Sequence, residues 1–348
     1  MISTPFVATP PPRYGGTELV VWELTLGLRD AGHDVTLFTV GRSAHQSRSL
    51  YPAPVWPPEP YHEFNHAAWA IAELHALDPA PDLIHCHIPA GLPLTPFAPA
   101  PMIYTLHHQR EEQLTHFYTY HRKVQMVAVS DRQRQLLPEL ENIACVHHGL
   151  LPARYPLGSG GGPAVFLGRL APEKAPHVAI DIARAAGVPL IVAGAAHWND
   201  RAYFDREVAP RLAADGVTWI GEVGYSEKVE LLGNACALLF PIDWEEPFGL
   251  VMVEAMLSGT PVLATSRGSV PEIIESGVTG WIYDEPRLLE AKLRELAAPG
   301  HSFDRSACRA RARERFSRSR MVSDYVALYA RTIAGREVEI APATADRA

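Results

Sequence analysis

Two carboxylates separated by seven residues, Glu246 and Glu254, bracket the most chemically loaded stretch of this 348-residue chain, Glu-Pro-Phe-Gly-Leu-Val-Met-Val-Glu. Pro247 biases Glu246 toward an extended backbone, which places that carboxylate outside any helix that follows. The apolar run from Leu250 reads as a short helix ended by Gly259 and Pro261. Gly249, Leu250 and Val251 then contribute unpaired amides at the helix start, where anions and hydroxyl oxygens are favoured. Glu254 falls about one turn into the helix. The stretch offers two acceptors for hydroxyl groups and a group of amide donors for phosphate, which suits a sugar nucleotide.

Two further clusters carry chemistry. Arg169 and Lys174 follow the apolar run Ala164–Gly168. An arginine there can meet a phosphate as a fork and a lysine as a point charge. Near the start, Gly15 and Gly16 follow Tyr14 and open a long amphipathic pattern. A Gly-Gly turn permits close backbone approach to a phosphate or an acceptor, and is also common as a plain turn. Histidines crowd the first half, with 13 of the 16 before residue 150. The pairs His85/His87, His107/His108 and His147/His148 match no common zinc spacing and each sits near a strand end, so no metal site is expected.

These residues need a scaffold, and the patterning predicts one. Short apolar runs alternate with helical periodicity almost throughout, which implies βα units and parallel sheets. Expected strands are Val35–Val40, Asp82–His87, Met102–Leu106, Met126–Val129 and Ile143–His147, then Ala164–Gly168, Pro189–Ala193, Val217–Ile220, Ala237–Pro241 and Pro261–Ala264. The length predicts about two domains. The expected division is an N-terminal Rossmann-like domain over residues 1–152, a linker over 153–163, a C-terminal Rossmann-like domain over 164–319 and a final helix over 320–335. Gly158-Ser-Gly-Gly-Gly162 precedes a strand instead of following one, so it reads as linker and not as a dinucleotide-binding turn. Two doubly wound domains facing a cleft are expected, with ligands at the carboxyl ends of the strands.

Ser43–Tyr61 is proline-rich and reads as an irregular surface loop, and Glu337–Ala348 as a frayed tail. Met1–Phe6 reads as the end of a first strand, either because that strand is short or because translation starts upstream. The net charge of −8 disfavours general nucleic-acid binding. No apolar run has the length of a membrane span, the N-terminus has no signal-peptide order, and residues 1–150 hold 9 basic against 14 acidic side chains. Membrane association is therefore not favoured, and the four distant cysteines suit a reduced, cytoplasmic protein. One local exception is Arg305–Arg320 with seven arginines. It reads either as a basic face for anionic lipid or a phosphorylated acceptor or, as preferred here, as a solvated helix.

The Glu-x7-Glu spacing, continued by Gly259-Thr-Pro-Val-Leu-Ala-Thr265 and Gly268-Ser-Val-Pro-Glu272, resembles the retaining GT-B glycosyltransferases of family GT4. Gly168-Arg-Leu-Ala-Pro-Glu-Lys174 resembles that family's phosphate-clamp segment, and Tyr104-Thr-Leu-His107 its Thr-x-His on the acceptor side. The resemblance runs from about Tyr14 to about Tyr329. It implies an α/β GT-B fold and transfer of a sugar from a nucleotide-diphosphate donor, UDP- or GDP-linked, to a sugar, lipid-linked or small-molecule acceptor in glycan or polysaccharide biosynthesis. It further implies retention of anomeric configuration, by a front-face route in which the leaving phosphate takes the acceptor's proton or by double displacement. The family needs no cofactor or obligatory metal. By the same resemblance Glu246 binds the sugar hydroxyls, Glu254 the ribose, and Phe248, Gly249 and Leu250 offer amides to sugar or phosphate. Arg169 and Lys174 clamp the diphosphate, Gly15 and Gly16 face it, and His107 orients the sugar or the acceptor. A base pocket is expected near Gly194–His197. Competing readings are a sugar-nucleotide epimerase on the same fold, a non-catalytic nucleotide-sugar binding protein, and a glycoside hydrolase using Glu246 and Glu254.

Overall fold

The computed structural model describes residues 1–13, 15–41 and 46–340, without the side chains of 336–340. Tyr14, the start of the Ser43–Tyr61 loop and residues 341–348 of the expected tail lie outside the described residues. The expected α/β architecture is present, with parallel sheets and helices on both faces of each.

The N-terminal half runs α1 (Gly16–Asp30), β1 (Leu37–Thr39), β2 (Ser47–Ser49), α2 (Pro60–His75), β3 (Ile84–Cys86), β4 (Met102–Thr105), α3 (Glu112–Thr119), β5 (Gln125–Ala128), α4 (Asp131–Gln135) and β6 (Ile143–Cys145). β3, β4, β5 and β6 pair in that order, all parallel, and β1 pairs with β2. Ile2 joins the two groups by bridging to Phe38 of β1 and Cys86 of β3. The chain's first segment is thus one bridging residue in mid-sheet. The order reverses around it, because the connection from Ile2 leads through α1 to β1 on one side while β3 lies on the other.

The C-terminal half runs β7 (Ala164–Leu167), α5 (Pro176–Ala186), β8 (Leu190–Ala193), a broken helix with α6 (Arg201–Tyr203) and α7 (Ala209–Leu212), β9 (Val217–Gly221), α8 (Tyr225–Asn234), β10 (Leu238–Phe240), α9 (Leu250–Leu257), β11 (Val262–Ala264), α10 (Val270–Ile273), β12 (Gly280–Ile282), α11 (Pro286–Ala297), α12 (Arg305–Phe316) and α13 (Arg318–Ile340). Its six strands are parallel in the order β12-β11-β10-β7-β8-β9, which reverses between β7 and β10. Such reversal points open a crevice at the strands' carboxyl ends. Arg169 and Lys174 follow β7 and Glu246 follows β10, so the two motif clusters stand on either side of it.

All ten expected strands form, and β2 and β12 add to them. β2 corrects the reading of Ser43–Tyr61 as irregular. Ser47–Ser49 has no apolar alternation to announce it, yet its backbone completes the edge beside β1. The glycine run holds tightly to the C-terminal half: Gly158 donates to Ser258 O at 3.0 Å, Gly160 to Gly233 O at 3.0 Å and Gly162 to Asn234 O at 2.8 Å. α13 lies on the N-terminal half, burying Met321, Val322, Tyr325 and Leu328 with Val20, Leu24 and Leu28 of α1. No helix among the described residues is long and apolar enough to cross a membrane.

The arginine-rich segment is only in part the expected solvated helix: Ser306, Ala310, Arg313 and Glu314 are exposed, but four of its arginines turn onto backbone carbonyls. Arg305 donates to Gly158 O, Ala235 O, Gly233 O, Ser258 O and Thr260 Oγ1 at 2.7–3.2 Å. Arg309 reaches the carbonyls of Tyr155, Leu257 and Pro152, Arg315 those of Ile273 and Glu272, and Arg320 those of His147 and His148. Helix ends and loops leave carbonyls unpaired, and a guanidinium has enough donors to satisfy several at once. These arginines therefore tie α12 and the start of α13 to the body of the protein. Replacing Arg305 by Met should cost about 2–4 kcal/mol, because Gly158 O and Ala235 O lose this donor while Gly233 O and Ser258 O lose a second one. A denaturation midpoint unchanged from the parent would show that the ties carry no stability.

Candidate active site

A cleft of about 820 Å³ lies between the two sheets' reversal points. Gly15, Gly16, His107, Arg169, Lys174, Glu246, Phe248, Gly249, Leu250 and Glu254 all line it. Gly194, Ala195 and His197, after β8, line it as well.

Glu246 sits in the extended turn before α9 and is 7% exposed. Lys174 Nζ pairs with its Oε2, and the Trp244 indole N–H donates to the same oxygen at 3.0 Å. The ammonium also lies 4.3 Å above the Trp244 ring. The backbone here is set by a close approach. A Cβ on Gly268 would fall 2.2 Å from Glu246 N and 2.4 Å from its O, and the residue has φ +55°. Only glycine fits. Ser269 N then donates to Glu246 O at 3.0 Å and Ser269 Oγ to Phe248 O at 2.8 Å, which accounts for the Gly-Ser pair of the motif. Gly249 caps α9 at φ +78°, another left-handed position.

Glu254 is 4% exposed. Lys228 of α8 pairs with its Oε1, and Tyr155 OH donates to that atom at 2.9 Å. Each motif carboxylate therefore has its own lysine. Arg169 donates to Asp200 Oδ2 at 3.1 Å and pairs with Glu173. Its guanidinium is held at the cleft wall by two carboxylates, with Lys174 beyond.

On the opposite wall, His107 is one of a line of imidazoles. His87 Nδ1 meets His107 Nε2 at 2.9 Å, and His148 stacks on His107 with centroids 5.6 Å apart. His148 in turn meets the Phe248 ring edge-on at 4.9 Å. His85 bonds Thr105 and Tyr329 at 2.7 Å each. Burial, and to a lesser degree the neighbouring His108, lowers His107 to about 3, so it stands neutral at pH 7. Burial also takes His85, His87 and His148 well below the ordinary imidazole value. A neutral His107 can give or take one hydrogen bond but brings no charge.

The motif's last residue, Glu272, reaches across to the N-terminal half. Its carboxylate accepts from Asp131 N at 2.8 Å and Arg132 N at 2.5 Å, at the start of α4, and from His147 at 3.0 Å. Beside it Arg132 forms a fork with Glu245 at 2.9 and 2.8 Å. Glu23, buried in α1, pairs with Arg154 at 3.2 Å and Arg318 at 3.5 Å, where the chain crosses between halves. Outside the cleft, Asp131, Cys145 and His147 bring their ligand atoms within 4.8 Å of one another, a grouping that the histidine pairs did not foreshadow. Lys228, Tyr155, Trp244 and Asp200 were absent from the expected site. Lys228, Tyr155 and Asp200 stand in no motif and meet the site only through folding, whereas Trp244 lies two residues before Glu246.

The imidazole line makes stability depend on pH with a definite sign. A histidine whose folded value is depressed binds fewer protons folded than unfolded, so its contribution is full above the unfolded value and is lost as pH falls below it. From about pH 7 to about pH 5, His107 alone should cost up to about 2 kcal/mol. Thermal unfolding across that window should show the midpoint dropping, and His107→Gln should drop less. An equal fall in both proteins would mean His107 protonates without penalty.

The model described as "Glycosyltransferase Family 4" matches residues 14–150, and that described as "Glycosyl transferases group 1" matches residues 156–315. A glycogen synthase of Mycobacterium tuberculosis is 26% identical over 91% of this chain and 89% of its own length. A D-inositol 3-phosphate glycosyltransferase of Mycobacterium bovis is 32% identical, over 41% of this chain and 32% of its own. Among solved structures, AviGT4, a glycosyltransferase involved in avilamycin A biosynthesis, superposes with a TM-score of 0.72 at 26% identity, covering 96% of this chain and 97% of its own. HepE of Anabaena, in complex with UDP and glucose, does so with a TM-score of 0.76 at 19% identity, covering 95% and 99%. With both halves matched and the fold shared, the chain belongs to the GT4-type, group 1 glycosyltransferases of GT-B architecture.

Proposed function

We propose that this glycosyltransferase moves a sugar, with retention of configuration, from a UDP- or GDP-linked donor to an acceptor hydroxyl in glycan or glycoconjugate biosynthesis. The observation that carries the reading is the meeting of two helix N-termini. Gly16, the first residue of α1, faces Leu250, the first of α9; a Cβ on Gly16 would lie 3.7 Å from the leucine side chain. Two sets of unpaired amides and two positive dipole ends converge there, with Lys174 and Arg169 on the same cleft. Negative charge grows on the diphosphate as the glycosidic bond breaks. Fixed dipoles and cations already in place stabilise that charge without reorganising.

In this reading Lys174 bridges the diphosphate and Glu246, and Arg169 releases one of its two carboxylates to meet a phosphate. Glu246 accepts from sugar hydroxyls. Glu254, held by Lys228 and Tyr155, accepts from the ribose. His107 stays neutral and bonds the sugar or the acceptor, so it is not the base. The acceptor oxygen attacks on the face that the phosphate leaves, and the leaving phosphate oxygen takes its proton. These cations and helix ends supply the positive charge, so the step needs no resident metal. HepE, solved with UDP and with UDP-glucose, supports a nucleotide-sugar donor.

Titrating UDP, GDP and ADP into the protein should raise the unfolding temperature by several degrees with at least one of them, since ligand at about 100 times its Kd adds about 2.7 kcal/mol. Lys174→Ala should lower turnover about 10²–10³-fold, as should Arg169→Ala. Near-normal turnover in both variants would remove the clamp from the mechanism. Donor consumption without any acceptor would favour the epimerase, and nucleotide binding without consumption a binding protein. Inversion at the anomeric carbon, read by NMR of the product, would refute the front-face step.

A further inference from the structure

The two walls of the cleft differ in charge. The C-terminal wall carries Arg154, Arg169, Lys174 and Lys228 against Glu222, Glu246 and Glu254, the last two each paired to a lysine. Among the described residues, the N-terminal wall carries one cation, the exposed Arg13, against two carboxylates, Glu18 and Glu63. Glu18 is 6% exposed and accepts from Thr4 Oγ1 at 2.6 Å. Glu63 receives only a long N–H from Ala90 at 3.4 Å. Neither is held by a cation among the described residues, unlike Glu246 and Glu254 across the cleft. Burial raises both carboxyls above their ordinary range.

The surroundings of these carboxylates are apolar. Phe6, Val7, Pro11, Trp56, Pro58 and Ile88 line the same side. The Trp56 indole is 54% exposed and reaches across the mouth to meet the His197 ring edge-on at 5.9 Å. A phosphate on this wall would face two carboxylates and, among the described residues, no buried cation, a repulsive arrangement in a cleft of reduced dielectric. A hydroxyl group would find two acceptors. A flat apolar face would find an indole and prolines to lie against, the mix of apolar lining and few polar groups that marks small-molecule sites.

We propose that the N-terminal wall selects an uncharged hydroxylated acceptor with an apolar ring, of the aryl-glycoside kind, and disfavours phosphorylated acceptors. The proposal rests on the transferase reading above, and names the acceptor class for that cleft. Trp56 stacks on the ring, while Glu63 and Glu18 accept from its hydroxyls.

Calorimetric titration of p-nitrophenyl glucoside, glucose and glucose 6-phosphate, each with and without saturating nucleotide diphosphate, tests it. The aryl glucoside should bind about tenfold more tightly than glucose, and the phosphate more weakly than either. Trp56→Ala should abolish the aryl advantage, and Glu63→Lys should bring glucose 6-phosphate to at least the affinity of glucose. Tightest binding of glucose 6-phosphate, lost in Arg13→Ala, would overturn the proposal. So would an unchanged ranking in Trp56→Ala, or no binding of any of the three. Failure of the nucleotide to bind sinks the donor reading instead, and the titrations without nucleotide still rank the acceptors.

Discussion

Everything in the site depends on the polarity of parallel sheets. In such a sheet every strand ends at the same edge, and each following helix begins there, so amides and dipole ends collect on one side of the layer. Here two such edges face each other. The first brings Gly15, Gly16 and the imidazole line; the second brings Arg169, Lys174, Glu246 and the start of α9. Neither half alone assembles these groups around one volume.

The apposition is maintained by charged contacts together with an apolar cluster that packs Val129, Leu150 and Leu19 with Phe248 and its neighbours in the C-terminal half. Glu272 accepts from two backbone amides of α4, Arg132 forks onto Glu245, and Glu23 joins Arg154 to Arg318 where the chain crosses over. α13 adds apolar burial against α1 and hydroxyl bonds from Tyr325 and Tyr329 to Thr105 and His85. Glu245 and Glu246 are neighbours in sequence, so the residue that holds the halves together and the residue in the cleft share one stretch of backbone. Gly268, pressed on Glu246, fixes that stretch. The motif Gly268-Ser-Val-Pro-Glu272 is therefore a structural device: its glycine seats one carboxylate and its glutamate fastens the other half.

The sequence made legible whatever depends on local physics. Periodicity located the strands; proline and glycine placed Glu246 before a helix and Gly249 at its start; the Glu-x7-Glu and Arg169/Lys174 spacings marked both edges of the crevice. What it hid depends on distant approach. Lys228 lies on a separate helix from Glu254 and meets it only once α8 and α9 lie side by side. The partners of Arg169 include Asp200, which follows another strand. The arginines from Arg305 onward looked like surface because arginine usually is surface. Arg305, Arg309, Arg315 and Arg320 turn inward because loops and helix ends across the fold offer carbonyls, which no local pattern reveals. β2 was likewise invisible, an edge strand of Ser-Arg-Ser with no apolar face.

The central claim is that the two helix starts and Lys174 receive a diphosphate. A structure determined with the stabilising nucleotide diphosphate bound tests it most directly. The β-phosphate is expected at the starts of α1 and α9, within hydrogen-bond distance of backbone amides from either helix and of Lys174 Nζ. A diphosphate seated elsewhere in the cleft, with Lys174 still engaged only by Glu246 and Trp244, would contradict it.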